Sequence, residues 1–255
     1  MSIARKGVLA AALLLAGCAR ASAPGTADGG ASRVRAEARA GAPRPQTRAE
    51  RTRYQETSRS EDVVAFLDSL AAMDGRLVRT SIGRTGEGRE LAAVIASRPR
   101  VSTPAEARAL NRPIVYVQGN IHGGEVEGKE ALLALLRDLA RAPGPGVLDS
   151  VVLVAVPIYN ADGNERLGAQ AANRGEQNGP ELVGQRPNAQ GLDLNRDYVK
   201  AEAPETRASL ALFARWAPDA FVDLHTTDGS YHGYALTWSP SLHPSAPLRA
   251  TGSLP

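Results

Sequence analysis

The chain has 255 residues, one cysteine and a formal net charge of +3, and 43% of its residues are hydrophobic. This length suits one well-buried core or two smaller ones. A single cysteine excludes a fold held together by internal disulfide bonds. Residues 1–53 hold ten Lys/Arg and three Asp/Glu, a net of +7, so residues 54–255 carry −4. The positive charge therefore belongs to the N-terminal region, and the composition of the folded part argues against nucleic-acid binding.

The N-terminus has the pattern of an exported lipoprotein. Arg5 and Lys6 precede the apolar run Val8–Leu15, which is too short to span a bilayer as a permanent helix. The run ends in Leu-Ala-Gly-Cys at residues 15–18. This resembles the lipobox of bacterial lipoproteins, in which the cysteine becomes the lipidated first residue; an ordinary secretory signal is the alternative. We predict a lipoprotein signal peptide over residues 1–17, a lipid anchor on Cys18, and a protein on the periplasmic or outer-membrane face of the bacterial cell envelope.

The composition changes again near Tyr54. Residues 18–53 consist mainly of Ala, Gly, Pro, Ser, Thr and Arg, with almost no large apolar side chains. Such a segment cannot bury enough surface to offset its ordering entropy. We therefore predict a disordered tether over residues 18–53 and a folded domain over residues 54–255.

The folded domain alternates helix and strand patterns. Apolar periodicity predicts helices over residues 60–73, 126–140 and 206–216. Short apolar runs predict strands over residues 77–82, 91–96, 113–118, 151–158, 221–224 and 231–238, the first two forming a hairpin. Interleaved strands and helices predict an α/β fold, in which helices cover both faces of a mixed sheet. We expect Trp216 and Trp238 in the core.

Polar clusters follow three of the predicted strands. His122-Gly-Gly-Glu125 follows one strand, Asn160–Asn164 follows a second, and His225 follows a third. In open α/β sheets, sites lie in the loops beyond the carboxyl ends of strands. We therefore expect the three clusters to converge at one edge of the sheet.

The first and third clusters suggest a metal site. Two histidines and one glutamate, His122, His225 and Glu125, would leave a fourth tetrahedral position to water, which is the arrangement of a catalytic zinc. Two glycines between His122 and Glu125 would allow a sharp turn. A surface coincidence is the alternative for the His-x-x-Glu pair alone, and the nearby Glu127 is expected to point away from it.

Asn195 and Arg196 form a second candidate site. A guanidinium binds a carboxylate through two parallel hydrogen bonds, and a neighbouring amide can add a third. This pair could therefore hold a substrate carboxylate. A structural salt bridge within the loop is the alternative.

In four ordered motifs, the chain resembles the zinc carboxypeptidase family of the carboxypeptidase A type. His-Gly-Gly-Glu at residues 122–125 is similar to the first zinc motif, and Asp-Leu-His at residues 223–225 to the last. Asn-Ala-Asp-Gly at residues 160–163 resembles the Asn-Pro-Asp-Gly turn, with Ala161 in place of proline. Gly-Leu-Asp-Leu-Asn-Arg at residues 191–196 resembles the Gly-x-Asp-x-Asn-Arg motif. The resemblance covers about Tyr54 to Trp238.

The resemblance implies a mixed, largely parallel twisted sheet with helices on both faces and one zinc ion per chain. It implies His122, Glu125 and His225 as zinc ligands, and Asn195 and Arg196 as the residues that bind the free C-terminal carboxylate of a peptide substrate. Arg186 would polarise the scissile carbonyl, with Arg174 as the second choice. The implied function is hydrolysis of the C-terminal peptide bond by a zinc-activated water.

The chain departs from this family at its end. The resemblance implies a general-base glutamate well after the last zinc histidine, and residues 226–255 contain no Glu. We therefore expect a C-terminally incomplete domain, the N-terminal portion of such an enzyme, with weak or no peptidase activity of its own. Two alternatives stay open: an N-acyl amino acid amidohydrolase of the succinylglutamate desuccinylase and aspartoacylase type, and an inactive zinc- or peptide-binding module.

Overall fold

A computed structural model describes residues 44–175, 179–227, 233–234 and 236–239. The predicted signal peptide, Cys18 and residues 18–43 of the predicted tether lie outside the described residues. Within this part of the chain, no helix has the length and apolar character needed to cross a membrane.

The predicted tether extends too far toward the C-terminus. Residues 44–53 include the short helix α1 (Arg48–Arg51). Thr47 caps this helix: its hydroxyl accepts from the Glu50 N–H at 3.2 Å, and the Glu50 carboxylate accepts from the Thr47 N–H at 2.9 Å. Ala49 is buried. This segment is therefore part of the ordered domain, because a reciprocal cap and one buried methyl group provide the contacts that its composition does not suggest.

A five-stranded mixed sheet forms the centre of the domain. Its spatial order is β1 (Leu77–Arg84), β2 (Glu90–Ala96), β4 (Val152–Val156), β3 (Ile114–Gly119) and β7 (Ala220–Leu224). β1 and β2 form the predicted antiparallel hairpin, and β2 pairs antiparallel with β4. β3 pairs in parallel with both β4 and β7. The mixed α/β architecture predicted from the sequence is confirmed.

Helices cover both faces of this sheet. On one face, α2 (Ser60–Met73) and α4 (Glu127–Arg141) pack on side chains of β2, β3 and β4. On the other face, α3 (Pro104–Ala109) and α7 (Pro204–Trp216) pack on the alternate side chains of the same strands. The three predicted helices correspond to α2, α4 and α7, whereas α3 has no counterpart among the predictions.

Two further predictions concern the end of the chain. Most of the strand predicted over residues 231–238 lies outside the described residues, and residues 233–234 and 236–238 are not in a strand. Trp216 is buried in the core, as predicted. The prediction for Trp238 is wrong, because its exposed fraction is 67%.

The short elements lie between β4 and α7 and after α4. They are α5 (Ala161–Glu165), a small antiparallel pair of β5 (Gly168–Ala169) and β6 (Leu182–Val183), α6 (Gln170–Asn173), and 3-10 turns at Val147–Asp149 and Leu194–Arg196. The described residues between β4 and α7 thus form several short elements joined by loops rather than one long helix. It carries several of the predicted site residues.

Two leucines of α4 test the assignment of its buried face. Leu133 is fully buried against α2 and the sheet, whereas Leu135 is 46% exposed. We predict that Leu133→Ala lowers the free energy of unfolding by about 2–5 kcal/mol, because it removes buried methyl groups and leaves a cavity. Leu135→Ala should change it by about 0.5 kcal/mol. Urea denaturation of both variants measures this, and equal losses would contradict the assigned orientation of α4.

Candidate metal centre

The three polar clusters predicted at strand ends do converge. The register of the sheet pairs Gln118 of β3 with Val156 of β4, and Gly119 of β3 with Leu224 of β7. β3 therefore ends level with both parallel neighbours. The loop that starts at Asn120 lies between the segment after β4 and the segment after β7, which begins at His225.

His122, Glu125 and His225 form one compact group of possible metal donors. One donor atom from each lies within 4.8 Å of the others. His122 Nδ1 lies 2.7 Å from Glu125 Oε1, and His225 Nδ1 lies 2.9 Å from Glu125 Oε2. The two imidazole rings have a centroid distance of 5.1 Å. His122 and Glu125 are buried, whereas 33% of the His225 side chain is exposed. The group is therefore open to solvent on the His225 side.

Each histidine turns its other ring nitrogen toward an aspartate. His122 Nε2 lies 3.2 Å from Asp193 Oδ1, and His225 Nε2 lies 3.0 Å from Asp223 Oδ2. A carboxylate on the far nitrogen fixes the tautomer and orientation of a metal-binding imidazole. Both rings are consequently held with Nδ1 facing Glu125.

The charges around Glu125 favour its carboxylate form. Burial opposes ionisation, but contacts with His122 and His225 and the Thr226 N–H, which donates to Oε2 at 3.0 Å, hold the pKa of Glu125 well below its usual range. The contact with Asp223, followed by that with Glu125, raises the pKa of His225 to about 10. A metal that binds this group at neutral pH must therefore displace a proton from His225.

Two arginines border the group and differ in their surroundings. Arg174 is buried, and its Nη2 lies 3.2 Å from Glu125 Oε1. Arg186 donates through Nε and Nη2 to Asp193 Oδ2, each at 2.9 Å, and its Nη1 lies 3.4 Å from His122 Nδ1. The Arg186 side chain is 39% exposed. Arg174 thus neutralises a buried carboxylate, whereas Arg186 can still meet a molecule from solvent.

Positions 123 and 124 require glycine because other backbone segments lie too close to admit a Cβ atom, and not because the backbone there is left-handed. A Cβ on Gly123 would lie 2.4 Å from the backbone carbon of Gly163, and a Cβ on Gly124 would lie 2.7 Å from the carbonyl oxygen of Gly184. Neither glycine is among the described residues with positive φ. The expected sharp turn is therefore accompanied by tight packing of the loop against two other backbone segments.

The Asn160–Asn164 cluster supports the centre from the end of β4. Asn160 Nδ2 donates to the carbonyl oxygens of Ile121 at 3.2 Å and Arg186 at 3.1 Å. Asp162 is fully buried and accepts from the Thr85 hydroxyl at 2.7 Å and from Arg89 Nη1 at 2.7 Å. This cluster consequently joins the His122 loop, the Arg186 loop and the β1–β2 hairpin loop.

Asn195 and Arg196 lie on the 3-10 turn that follows Asp193. The Asn195 N–H donates to Asp193 Oδ1 at 3.0 Å, so this turn starts at the carboxylate that also contacts His122. Arg196 is exposed, and its Nη1 donates to the Asn195 carbonyl at 3.0 Å. Among the described residues, only this nitrogen of the Arg196 guanidinium makes a hydrogen bond, and the side chain is accessible to a ligand.

Sequence reasoning missed two contacts of this centre. Asp193 is not predicted to belong to the metal centre, yet it contacts both His122 and Arg186. Arg174 is weighed only as a catalytic arginine, yet it pairs with Glu125.

A cavity of about 350 Å³ lies next to the centre and is lined by Val126, Glu127 and side chains of α1 and α4, but not by the three donors. Glu127 is exposed, accepts from the Thr226 hydroxyl at 2.6 Å and is not a member of the His122–Glu125–His225 group.

A His–Glu–His group beyond the ends of parallel strands lies where open α/β sheets bind their ligands, and its donor set suits a divalent metal ion. The chain belongs to the zinc carboxypeptidase family, the peptidase M14 family, whose sequence profile matches residues 63–246. This match includes all four motifs that carry the resemblance in sequence.

Curated relatives agree with this family. Carboxypeptidase 2 of Trichophyton equinum is 28% identical over 171 residues, a match that covers 66% of this chain and 28% of the relative. Carboxypeptidase Z of Mus musculus is 35% identical over 144 residues, which covers 53% of this chain and 20% of the relative. The chain thus spans less than a third of the length of these relatives.

Solved structures show the same fold. The carboxypeptidase A of Helicoverpa armigera superposes with a TM-score of 0.54 at 18% identity, covering 78% of this chain and 52% of that one. A metallo-carboxypeptidase from Burkholderia cenocepacia superposes with a TM-score of 0.51 at 24% identity, covering 69% of this chain and 43% of that one. At these identities, the comparison establishes the fold alone.

Two glutamates two positions apart test the donor assignment. We predict that Glu125→Gln weakens zinc binding by more than the roughly 10–100-fold that loss of an outer-shell partner causes, because it removes a negatively charged donor. Glu127→Gln removes the same charge but should leave zinc affinity nearly unchanged. Competition with a chromophoric chelator measures both, and equal losses would contradict the assignment.

Proposed function

We propose that this protein is a zinc-dependent metallocarboxypeptidase that hydrolyses the C-terminal peptide bond of peptides. The observation that carries the proposal is the orientation of the two imidazoles. Each presents Nδ1 to Glu125 and Nε2 to an aspartate. Family membership and the adjacent Asn195–Arg196 pair support a peptide with a free C-terminus as the substrate.

The residues present fit a zinc ion. Two imidazole nitrogens and one carboxylate are a donor set that leaves a coordination position to water or substrate. His122, Glu125 and His225 would hold the ion, and Asp193 and Asp223 would keep both rings in place. Zinc bound there would act as a Lewis acid and lower the pKa of a bound water.

Arg186 is our proposed partner for the scissile carbonyl. Two hydrogen bonds to Asp193 hold its guanidinium beside His122. A cation held in this way can meet the negative charge that develops on the carbonyl oxygen during attack, without reorganising at that moment. Arg174 is less suited to this step, because it is buried and already paired with Glu125.

Asn195 and Arg196 are our proposed binding site for the terminal carboxylate of the peptide. The guanidinium offers two parallel donors, and the Asn195 amide offers another. Because the turn that bears them starts at Asp193, a peptide anchored there would place its last peptide bond toward Arg186 and the donors. This arrangement would select peptides with a free C-terminus and exclude amidated ones.

Arg196→Gln tests the carboxylate site. We predict that it weakens binding of a peptide with a free C-terminus to the zinc-loaded protein by about 10–100-fold, since a charge-assisted hydrogen bond contributes about 1.5–3 kcal/mol. Binding of the C-terminally amidated peptide, already weak, should not change. Arg207→Gln removes an exposed arginine of α7 and is the control. Titration calorimetry measures all three proteins, and unchanged selectivity for the free carboxylate in Arg196→Gln would contradict the role.

We also propose that the protein is exported and anchored through lipid on Cys18. The basic residues Arg5 and Lys6, the apolar run and the Leu-Ala-Gly-Cys sequence support this proposal. Several acyl chains would give stable attachment, whereas one chain would be marginal.

Cys18→Ser tests the anchor. The parent chain expressed in a bacterial host should sediment with membranes and be released by detergent. The variant should lose this attachment, because it lacks the thiol that accepts the lipid. Radiolabelled palmitate incorporation followed by fractionation measures the difference, and equal membrane association of parent and variant would contradict the proposal.

A further inference from the structure

Asn120 occupies an unusual position between β3 and the His122 loop. It is the first residue after the strand, it is fully buried, and its backbone is left-handed with φ +62°. Asparagine adopts this conformation more readily than most residues other than glycine. Neither the donor set nor the proposed substrate contacts include this side chain.

The amide of Asn120 lies inside the turn that carries two of the three proposed zinc ligands. Its Nδ2 donates toward the carbonyl oxygens of His122 at 3.3 Å, Gly123 at 3.2 Å and Glu125 at 3.0 Å. The Glu125 N–H also donates to the His122 carbonyl at 2.9 Å. Three backbone carbonyl groups of the turn therefore point toward one side-chain nitrogen, Nδ2 of Asn120.

The same residue attaches the turn to the rest of the centre. The Asn120 carbonyl accepts from the Asn160 N–H at 3.0 Å, and Asn160 in turn donates to the carbonyls of Ile121 and Arg186. Asn120 Oδ1 is buried and has no hydrogen-bond partner among the described residues. An unmet buried acceptor costs free energy. The Asn120 amide nitrogen therefore donates to the turn, while the amide oxygen is left without a hydrogen-bond donor.

We propose that Asn120 is a positioning residue for the metal centre, whose amide sets the spacing of His122 and Glu125 by holding their carbonyl groups around a common point. The inference rests on the proposed zinc site. Without the donation, three carbonyl dipoles would face one another across the turn, and the turn would relax to another shape. Zinc binding would then have to restore the spacing, which weakens the observed affinity.

Two variants separate the amide from the backbone conformation. Asn120→Asp keeps the side-chain size but removes the donor. Asn120→Gly also removes the donor but adopts φ +62° without strain. Asn188→Asp is the matched control, because Asn188 is also a buried loop asparagine, and its Nδ2 donates to Glu205 at 3.2 Å, away from the donors.

Zinc affinity by chelator competition, the absorption spectrum of the cobalt-substituted protein and the Tm of the metal-free protein are measured for each variant. We expect both Asn120 variants to bind zinc at least about tenfold more weakly and to shift the cobalt bands, which report ligand geometry. Asn188→Asp should lower the Tm of the metal-free protein and leave zinc affinity and the cobalt spectrum unchanged.

Three results would overturn the inference. They are unchanged zinc affinity and cobalt spectra in both Asn120 variants, an equal loss of affinity in Asn188→Asp, and loss of the folded state in both Asn120 variants while Asn188→Asp stays folded. Absence of zinc binding by the parent protein would refute the proposed function as well. The two failures are therefore distinguishable.

Discussion

The candidate site depends on the parallel pairing of β3 with both of its neighbours. This pairing aligns the ends of three strands, so that residues 100 positions apart along the chain face each other across one edge of the sheet: Glu125 of the first loop meets His225 directly after β7. A one-residue slip of β7 would turn His225 to the other face. On one face of the sheet the Phe221 ring packs on the Tyr116 and Phe213 rings, and on the other face Leu224 packs against a buried cluster. These contacts resist such a slip, so the geometry of the site depends on the packing of both faces of β7.

Glu125 is the electrostatic centre of this arrangement. A buried carboxylate is costly unless cations or hydrogen-bond donors surround it. Here two imidazoles, the Arg174 guanidinium and the Thr226 N–H supply them. The contact of His225 with Asp223, followed by its contact with Glu125, raises the pKa of His225, so a divalent cation bound there would replace a proton. Asp193 links this centre to Arg186 and to the turn that carries Arg196, so one carboxylate connects the proposed metal, oxyanion and carboxylate sites.

Much of this architecture could be predicted from the sequence because its signals are local. The apolar stripe of α2 and the uniformly apolar β4 reveal both elements, and a motif directly after an apolar run reveals a strand-end site. Other features depend on contacts between distant segments. The contact of Asp193 with His122 follows from the irregular course of residues 184–193, which has no periodic pattern. The need for Gly123 and Gly124 arises from backbone about 40 and 60 residues away. Helix α1 depends on a four-residue cap within a composition typical of a tether.

The central claim is that His122, Glu125 and His225 bind one zinc ion. Anomalous diffraction at the zinc edge from crystals of the zinc-loaded protein tests it most directly. The account predicts a single strong peak about 2.0–2.2 Å from the Nδ1 atoms of both histidines and from the Glu125 carboxylate. A peak bound by other side chains, or no peak at this edge of the sheet, would contradict it.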